Sequence, residues 1–262
     1  TRHRPSMRVI AVPCLKDNYA YLLVDGRSQA VVVDPSLAAP VEAVLERERL
    51  ALVGIWLTHH HFDHVGGVEA LCDVHGPLPV VGSAYDLENG RIPRQTRGLH
   101  EGDALDFEAQ PVEVLEIPGH TLGAIAFVVS GCLFSGDTLF VGGCGRVFEG
   151  SMAMMQGSLA KLRALPGATR LYCGHEYTAN NLLFAQTVEP QEAAIAERLA
   201  WAKGLRAQGE PTIAGLMRDE FATNPFLRWD APAVVAWALE RGANDSSPAT
   251  VFGALRKAKD GF

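Results

Sequence analysis

Runs of apolar residues in the first two thirds of the chain predict short β-strands separated by turns. The stretch YAYLLVDGRSQAVVVD at 19–34 has two β-rich runs around an Asp-Gly turn and predicts a hairpin. Residues 39–50 have helical spacing with Pro40 in the first turn, and LVGIWL at 52–57 predicts a buried strand. Further strands are predicted at 111–118, 124–130, 132–137 and 169–174. This alternation predicts a layered domain of the α/β or αββα type, in a chain that we assign to the α+β class.

The pattern changes near residue 176, after which every long apolar pattern has helical spacing. The helix-like segments lie at 179–188, 190–208, 231–242 and 247–262. Prolines separate them, as expected where one helix must end before the next begins. We therefore predict a first domain at 1–175 and a small all-helical domain at 176–262.

Composition and charge argue against several classes of function. The chain has 262 residues, of which 48 % are hydrophobic and 20 % charged, which is ordinary for a globular protein. A net charge of -7 argues against general binding to nucleic acid or anionic membrane. No apolar run approaches the ~20 residues of a membrane span, and the five scattered cysteines do not suggest a disulfide framework. We expect a cytoplasmic monomer.

The segment THHHFDH at 58–64 concentrates metal-binding side chains at the end of the predicted strand 52–57. Imidazoles and carboxylates are costly to bury unpaired, so their crowding indicates a ligand. In an extended chain His59, His61 and Asp63 share one side. His64 joins them if the chain turns there, and the residues that follow do predict a helix. One short segment can then present four ligands to two adjacent metals.

Three more candidate ligands each follow a predicted strand and a glycine: His120, Asp137 and His175. Glycine is expected where the backbone turns tightly to direct a side chain. Each of the three alone could be a turn or capping residue, and the shared pattern favours metal binding. Cys173 is expected to be a buried small hydrophobe, and surface or supporting positions are expected for His60, His75 and His100.

Four motifs together are similar to one family: T-H-x-H-x-D-H at 58–64, P-G-H-T at 118–121, G-D-T-L-F at 136–140 and C-G-H-E-Y-T at 173–178. They resemble the metallo-β-lactamase superfamily and, within it, the glyoxalase II (hydroxyacylglutathione hydrolase) family. The resemblance implies a metallo-β-lactamase sandwich as the catalytic domain at 1–175 and a helical substrate-binding domain at 176–262.

The resemblance also implies two divalent metal ions per chain, zinc first, with iron or manganese as alternatives. Asp137 would bridge the two ions, and Asp63 and Asp137 would be the catalytic carboxylates. The remaining ligands would divide into His59, His61 and His120 for one ion and Asp63, His64 and His175 for the other.

The activity implied is hydrolysis of the thioester of S-D-lactoylglutathione, and of related 2-hydroxyacylglutathiones, to glutathione and D-lactate. A hydroxide held by the dinuclear metal site would attack the carbonyl, in the detoxification of methylglyoxal. Phe148 stands where related enzymes often carry Tyr. The residues implied for substrate binding are Arg146, Phe148, Tyr177, Arg256 and Lys259. Without the resemblance, the basic residues near the C-terminus would be interpreted as a solvated helix end.

Other functions on this scaffold are open. A glutathione persulfide dioxygenase with one iron would lack a full second metal site, whereas Asp63, His64 and His175 are all present. A lactonase, β-lactamase or nuclease would lack the basic RKAKD tail at 256–260. A metal-storage or interaction protein would not need Arg146, Tyr177 and Arg256 beside the ligands.

Overall fold

The structure is a computed structural model that describes residues 7–262; residues 1–6 of the predicted first domain lie outside the described part. The described chain divides into two compact units. One consists of the residues up to Glu116 together with Gly123–Ser130, and the other of Ile117–Leu122 and Gly131–Phe262. Among the residues from 7 onward, no helix has the length and apolar character needed to cross a membrane.

The first unit contains ten strands and four helices. The strands are β1 Arg8–Cys14, β2 Asn18–Val24, β3 Gln29–Val33, β4 Ala51–Trp56, β5 Val80–Ser83, β6 Arg97–Leu99, β7 Asp106–Phe107, β8 Gln110–Pro111, β9 Glu113–Glu116 and β10 Ile125–Val129. The helices are α1 Ala38–Glu48, α2 Phe62–Val65, α3 Val68–His75 and α4 Ala84–Glu88. The predicted hairpin, the helix at 39–50 and the strands at 52–57, 111–118 and 124–130 are confirmed.

The main sheet of this unit has the order β1-β2-β3-β4-β5-β6. The first three strands pair antiparallel, and β3 to β6 pair parallel. Val32, Ile55, Val41 and Leu71 are fully buried in one apolar cluster, so α1 and α3 pack on the sheet. Because β3 and β4 are parallel, their carboxyl ends lie at the same edge of the sheet, and the segments following them become neighbours.

The second unit contains five short strands and six α-helices. The strands are β11 Cys132–Gly136, β12 Leu139–Phe140, β13 Gly143–Cys144, β14 Arg170–Cys173 and β15 Gly215–Leu216. The helices are α5 Met152–Arg163, α6 Thr178–Val188, α7 Ala193–Ala207, α8 Met217–Thr223, α9 Pro232–Glu240 and α10 Pro248–Asp260, with a 3-10 turn at Pro225–Leu227. The strands predicted at 132–137 and 169–174 and the four predicted C-terminal helices are confirmed; β12, β13, β15, α5 and α8 were not predicted.

Strands β11 and β14 pair parallel, and β15 joins β14 antiparallel. The backbone N–H of Gly174 donates to the carbonyl of Gly136 at 2.8 Å, so the two strand ends stay together. The helical part has an aromatic core in which the Phe226 ring lies 5.9 Å from Phe184 and 5.9 Å from Phe252. The sheet edge and this core position the functional residues of the second unit.

Candidate metal centre

The first unit gathers the histidines of the 58–64 segment. The ring centroid of His59 lies 4.8 Å from that of His61 and 4.2 Å from that of His64. Phe62 is 81 % exposed, whereas His59 and His64 are buried, as the alternation predicts for Phe62. Asp63 departs from that alternation, because α2 begins at Phe62 and places Asp63 and His64 in one helical turn. The four predicted ligands of this segment are therefore presented by an extended stretch followed by a turn of helix.

A buried carboxylate, that of Asp34, supports this segment. It accepts hydrogen bonds from the Thr58 backbone N–H at 2.8 Å and the Thr58 hydroxyl at 2.6 Å, and it lies 3.0 Å from Nδ1 of His64. Because the Thr58 hydroxyl donates to Asp34, it accepts from Nδ1 of His59, 3.0 Å away. Both histidines thus use Nδ1 for support, which leaves Nε2 as the candidate ligand atom.

Asp34 was missed by the sequence analysis, although a signal was available. It follows β3 directly, and its backbone N–H donates to Trp56 in the neighbouring parallel strand at 3.0 Å. Its φ of 49° is a left-handed value that Asp tolerates better than most residues. When a strand pairs parallel with the strand that carries the ligands, the residues that follow the two strands lie at the same edge of the sheet. A polar residue directly after such a strand is therefore placed near the ligands. Such residues are candidates for supporting a ligand.

Asn18, also missed, orients Asp63. Its amide nitrogen donates to the Asp63 backbone carbonyl and to Oδ2 of the Asp63 carboxylate, both at 3.0 Å. Oδ2 of Asp63 in turn lies 3.6 Å from Nε2 of His64. These contacts bring a carboxylate oxygen and an imidazole nitrogen towards the same point. That arrangement suits a shared divalent cation.

The second unit brings together His120, Asp137 and His175. Oδ2 of Asp137 lies 3.6 Å from Nε2 of His120 and 3.1 Å from Nε2 of His175. Asp137 and His175 follow the parallel strands β11 and β14, which explains why residues distant in sequence meet. Gly119 and Gly136 have φ of 150° and 54°, so the predicted requirement for glycine before His120 and Asp137 is met.

The hydrogen bond at Nδ1 of His120 fixes the tautomer of this ring. Nδ1 lies 2.7 Å from the backbone carbonyl oxygen of Arg146. A carbonyl oxygen only accepts, so Nδ1 carries the proton and the lone pair of Nε2 faces Asp137. Imidazoles supported in this way are typical metal ligands. The donor set of each unit, imidazole nitrogens with carboxylate oxygens, therefore fits a divalent metal of the zinc, iron or manganese type.

The other histidines have different contacts. The imidazole of His75 lies 2.8 Å from the Glu42 carboxylate, and that of His100 lies 3.1 Å from the Glu116 carboxylate. Both distances are typical of ion pairs. The guanidinium of Arg91 donates to Nε2 of His60 at 2.7 Å. These three side chains occupy the surface or supporting positions expected for them.

The residues predicted to bind substrate all belong to the second unit. Arg146 exposes its side chain, and its guanidinium lies 3.8 Å from Asp260. Phe148 is 62 % exposed, with its ring 5.2 Å from that of His120. Tyr177 is partly exposed and stacks on His175 at 4.7 Å with the two rings nearly parallel. Two of these side chains, Phe148 and Tyr177, lie against the candidate ligands His120 and His175, and Arg146 precedes Phe148 by two residues.

Arg256 has a position that its sequence context did not indicate. Its side chain is buried, and its guanidinium donates to the backbone carbonyl of Cys144 at 2.6 Å and to Asp260 at 3.0 Å. The C-terminal basic residues are therefore not a uniformly solvated helix end. Arg256 ties α10 to the segment that carries Arg146.

Lys259 lies one turn along α10 from Arg256 and is half-buried. Its ammonium lies 5.8 Å from the ring centre of Phe184 and 5.1 Å from that of Phe262. Burial, and next the nearby charge of Arg256, lower the pKa of Lys259. A partly desolvated cation beside exposed Arg146 is suited to receive an anionic group.

The buried cysteines do not have the properties of nucleophiles. Burial raises the pKa of the Cys173 thiol to about 12 and that of the Cys144 thiol to about 11. A reactive thiol requires the opposite shift. The interpretation of Cys173 as a small buried hydrophobe is consistent with this environment.

Comparison with known proteins identifies the family. The metallo-β-lactamase superfamily profile matches residues 16–175, and the profile of the hydroxyacylglutathione hydrolase C-terminus matches residues 176–262. The hydroxyacylglutathione hydrolase of Alkalilimnicola ehrlichii is 51 % identical over 257 residues, which cover 96 % of this chain and 98 % of that protein. The chain belongs to the hydroxyacylglutathione hydrolase family. The predicted α+β fold class, a metallo-β-lactamase sandwich followed by a helical segment, is thereby confirmed.

Solved structures agree on the fold. ETHE1 from Myxococcus xanthus superposes with a TM-score of 0.64 at 24 % identity, covering 97 % of this chain and 98 % of that one. TTHA1623, solved in a di-iron-bound form, is 32 % identical with a TM-score of 0.53 over 64 % of this chain and 91 % of that one. The fold and the histidine-carboxylate clusters agree with divalent metal binding in this member of the family.

Proposed function

We propose that the protein hydrolyses the thioester of S-D-lactoylglutathione and related 2-hydroxyacylglutathiones. The observation that carries the proposal is the double role of Arg146. Its backbone carbonyl fixes the tautomer of His120, while its exposed guanidinium is available to a substrate carboxylate. One residue thus links a metal-ligand imidazole to the recognition of an anion. The family membership, and hydroxyacylglutathione hydrolase relatives that align over nearly the full chain, support the same activity.

We further propose that the seven predicted ligands hold two ions. His59, His61 and His120 would hold one, Asp63, His64 and His175 the other, and Asp137 would bridge them. When bound, two such ions lower the pKa of a shared water towards neutrality and polarise a carbonyl oxygen. Zinc is the metal we propose first, and iron or manganese would suit the same donors.

The protein's own residues set the geometry for this chemistry. Asp34 and Thr58 hold the rings of His64 and His59, and Asn18 holds the carboxylate of Asp63. Because Asn18 donates to one oxygen of Asp63, the direction of the whole carboxylate is fixed, and its other oxygen would be placed to accept a hydrogen bond from water. The departing thiolate has a conjugate acid with a pKa near ~8.5, so its departure does not require a strong general acid.

Glutathione recognition is proposed for the basic and aromatic side chains of the second unit. Arg146 and Lys259 supply cations, Tyr177 supplies a hydroxyl beside His175, and Phe148 supplies an apolar surface beside His120. Arg256 is proposed to contribute through its charge and by holding the Cys144 carbonyl. We propose a catalytic domain at 1–175 and a substrate-binding domain at 176–262, with Arg146 and Phe148 of the first domain adding to the binding residues of the second. We also propose a cytoplasmic monomer; the described cysteines are all buried and form no disulfide with one another, which suits a reducing compartment.

The decisive experiment follows the thioester absorbance of S-D-lactoylglutathione, beside a glutathione-free thioester and a chelated sample. Rapid, chelator-sensitive loss of the glutathione thioester alone is the expected result. Equal rates on both thioesters would contradict the proposed recognition residues. No turnover by metal-replete protein would contradict hydrolysis, and oxygen uptake with glutathione persulfide would then identify the dioxygenase alternative.

The bridging role of Asp137 has a separate test. The substitution Asp137→Ala removes the only carboxylate of the second-unit set His120, Asp137 and His175. We expect it to abolish the binding of two metals per chain and to lower turnover by at least roughly 100-fold, as loss of a ligand disrupts the site itself. Metal analysis of the purified variant is the measurement. Two bound metals and normal turnover would contradict the assignment.

A further inference from the structure

The segment 139–146 connects the candidate centre of the second unit to its helical part. Strands β12 and β13 form a two-residue hairpin whose turn is Val141–Gly142, and Gly145 and Arg146 follow it. The Arg146 carbonyl fixes His120, and the Phe140 ring lies 5.3 Å from Tyr177 and 5.9 Å from His175. A shift of this hairpin would therefore disturb a ligand imidazole and the proposed binding residues together.

A hairpin this short leaves turn groups that its own ladder does not bond, and buried side chains from elsewhere satisfy them. Glu220 accepts a hydrogen bond from the Gly142 backbone N–H at 2.7 Å. The amide nitrogen of Asn224 donates to the carbonyls of Phe140 at 3.3 Å and Gly143 at 3.0 Å. In addition, Asn181 of α6 donates to the Val141 carbonyl at 3.2 Å. Each of the four residues from Phe140 to Gly143 thus has a polar contact with a buried side chain.

Glu220 and Asn224 act as a pair. Both are fully buried, and the Asn224 amide also donates to Glu220 at 3.0 Å. Oε2 of Glu220 accepts both this bond and the bond from the Gly142 backbone N–H. Glu220 and Asn224 therefore hold each other in position. Asn224 Oδ1 accepts from Phe226 N at 3.1 Å, which fixes the orientation of the amide. Both belong to the DEFATNPFLR stretch at 219–228, to which the proposed function gives no role.

We propose that Glu220 and Asn224 form a positioning clamp, which sets the hairpin 139–144 and thereby the placement of His120 and Arg146 for acylglutathione turnover. The proposal deepens the proposed function and rests on it. The clamp does not touch substrate; it acts through the Arg146 carbonyl and the Phe140 ring. A buried acceptor that holds a backbone N–H in place needs a correctly placed oxygen more than it needs charge. Glutamine at position 220 can therefore replace most of its action.

The test compares four single variants: Glu220→Ala, Asn224→Ala, Glu220→Gln and, as matched control, Asp219→Asn. Asp219 lies next to Glu220 on α8, and its carboxylate pairs with Arg198 at 2.8 Å; among residues 7–262 it forms no hydrogen bond with the hairpin. Two quantities are measured: kcat/KM for S-D-lactoylglutathione, and amide hydrogen exchange of residues 139–146 relative to β14. The exchange measurement does not depend on substrate turnover.

We expect both alanine variants to lower kcat/KM by about 10- to 100-fold, in line with the cost of a misplaced reacting geometry. Exchange should become faster at 139–146 and stay unchanged in β14. Glu220→Gln should keep most of the activity and the protection, and Asp219→Asn should resemble the wild type. If exchange instead rises equally in both regions, Glu220 and Asn224 are merely stabilising and the proposal fails.

The wild type alone gives a further readout should an alanine variant fail to fold. The clamp requires the Gly142 amide to be protected as strongly as the amides of β14. A Gly142 amide that exchanges as fast as an exposed loop would overturn the proposal. Absence of wild-type turnover would count against the proposed function instead. Normal wild-type turnover with unaltered exchange and kcat/KM in folded alanine variants would reject only the clamp.

Discussion

The two ligand-bearing regions of the molecule are built in different ways. In the first unit, four candidate ligands lie within the segment 58–64 at the end of one strand. In the second, His120, Asp137 and His175 come from three segments, of which two follow parallel strands. The first region is specified mainly by local sequence. The second exists only when the fold brings separate strand ends together.

The support behind the histidines differs in the same way. His64 rests on Asp34, a buried side chain at the end of an adjacent strand, whereas His120 rests on the backbone carbonyl of Arg146 in a loop. A carboxylate also strengthens the imidazole as a ligand, and a carbonyl does so less. The comparison indicates that a buried side chain gives His64 of the first unit a rigid support, whereas the support of His120 in the second unit depends on how its loop is held.

The largest effect is expected from removing the rigid support with Asp34→Ala. It leaves Thr58 and His64 without their acceptor in a buried site. Loss of one partner from a buried pair typically lowers the free energy of unfolding by about 3–5 kcal/mol. Metal affinity should also fall by roughly 10- to 100-fold. Denaturant unfolding and chelator competition measure the two effects.

Asp73→Asn is the control for Asp34→Ala, because Asp73 pairs with Arg94 on the surface of the same unit. It should change neither quantity measurably. If Asp34→Ala weakened metal binding less than Asn224→Ala, the rigid support would not be the stronger one. The inferred difference in support between the two regions would then be wrong.

The next effect concerns Glu220, the buried carboxylate that accepts a hydrogen bond from the hairpin 139–144. Burial raises the pKa of Glu220 from 4.5 to about 7, with Arg198 from α7 opposing the shift and the neighbouring Asp219 adding to it. A carboxyl whose pKa is higher in the folded protein stabilises the fold fully below pH 4.5. That stabilisation is lost as the pH rises through 7. Relative to Glu220→Gln, the wild type should lose about 3 kcal/mol of unfolding free energy over this range.

Unfolding of both proteins at a series of pH values measures this loss. The exposed residue Glu240 offers a control, since Glu240→Gln should follow the wild type at every pH. A constant difference between wild type and Glu220→Gln from pH 4.5 to 8 would show that Glu220 does not titrate with the fold. The protonation of Glu220 would then make no difference to the stability of the fold in this pH range.

The same contrast explains what the sequence could and could not predict. Strands, helices and the ligands of 58–64 follow from local spacing, and glycine before His120 and Asp137 marks turns that need positive φ. The role of Asp34 depends on the pairing of β3 with β4, which no local pattern states. Glu220 and Arg256 look like ordinary surface charges in the sequence. Only the packing of α8 and α10 buries them.

The smallest effect tests whether Phe148, in the loop that supports His120, contacts the substrate directly. Phe148 is exposed beside His120, where a tyrosine would add a hydroxyl without filling buried space. If glutathione passes this ring, Phe148→Tyr should strengthen binding by the ~0.5–1.5 kcal/mol of one neutral hydrogen bond. KM for S-D-lactoylglutathione would then fall several-fold while kcat stays unchanged. Tyr85→Phe, the reverse change at an exposed residue of the first unit, should leave KM unaltered. An unchanged KM in Phe148→Tyr would place the glutathione path away from this ring and leave Arg146 and Lys259 as its proposed contacts.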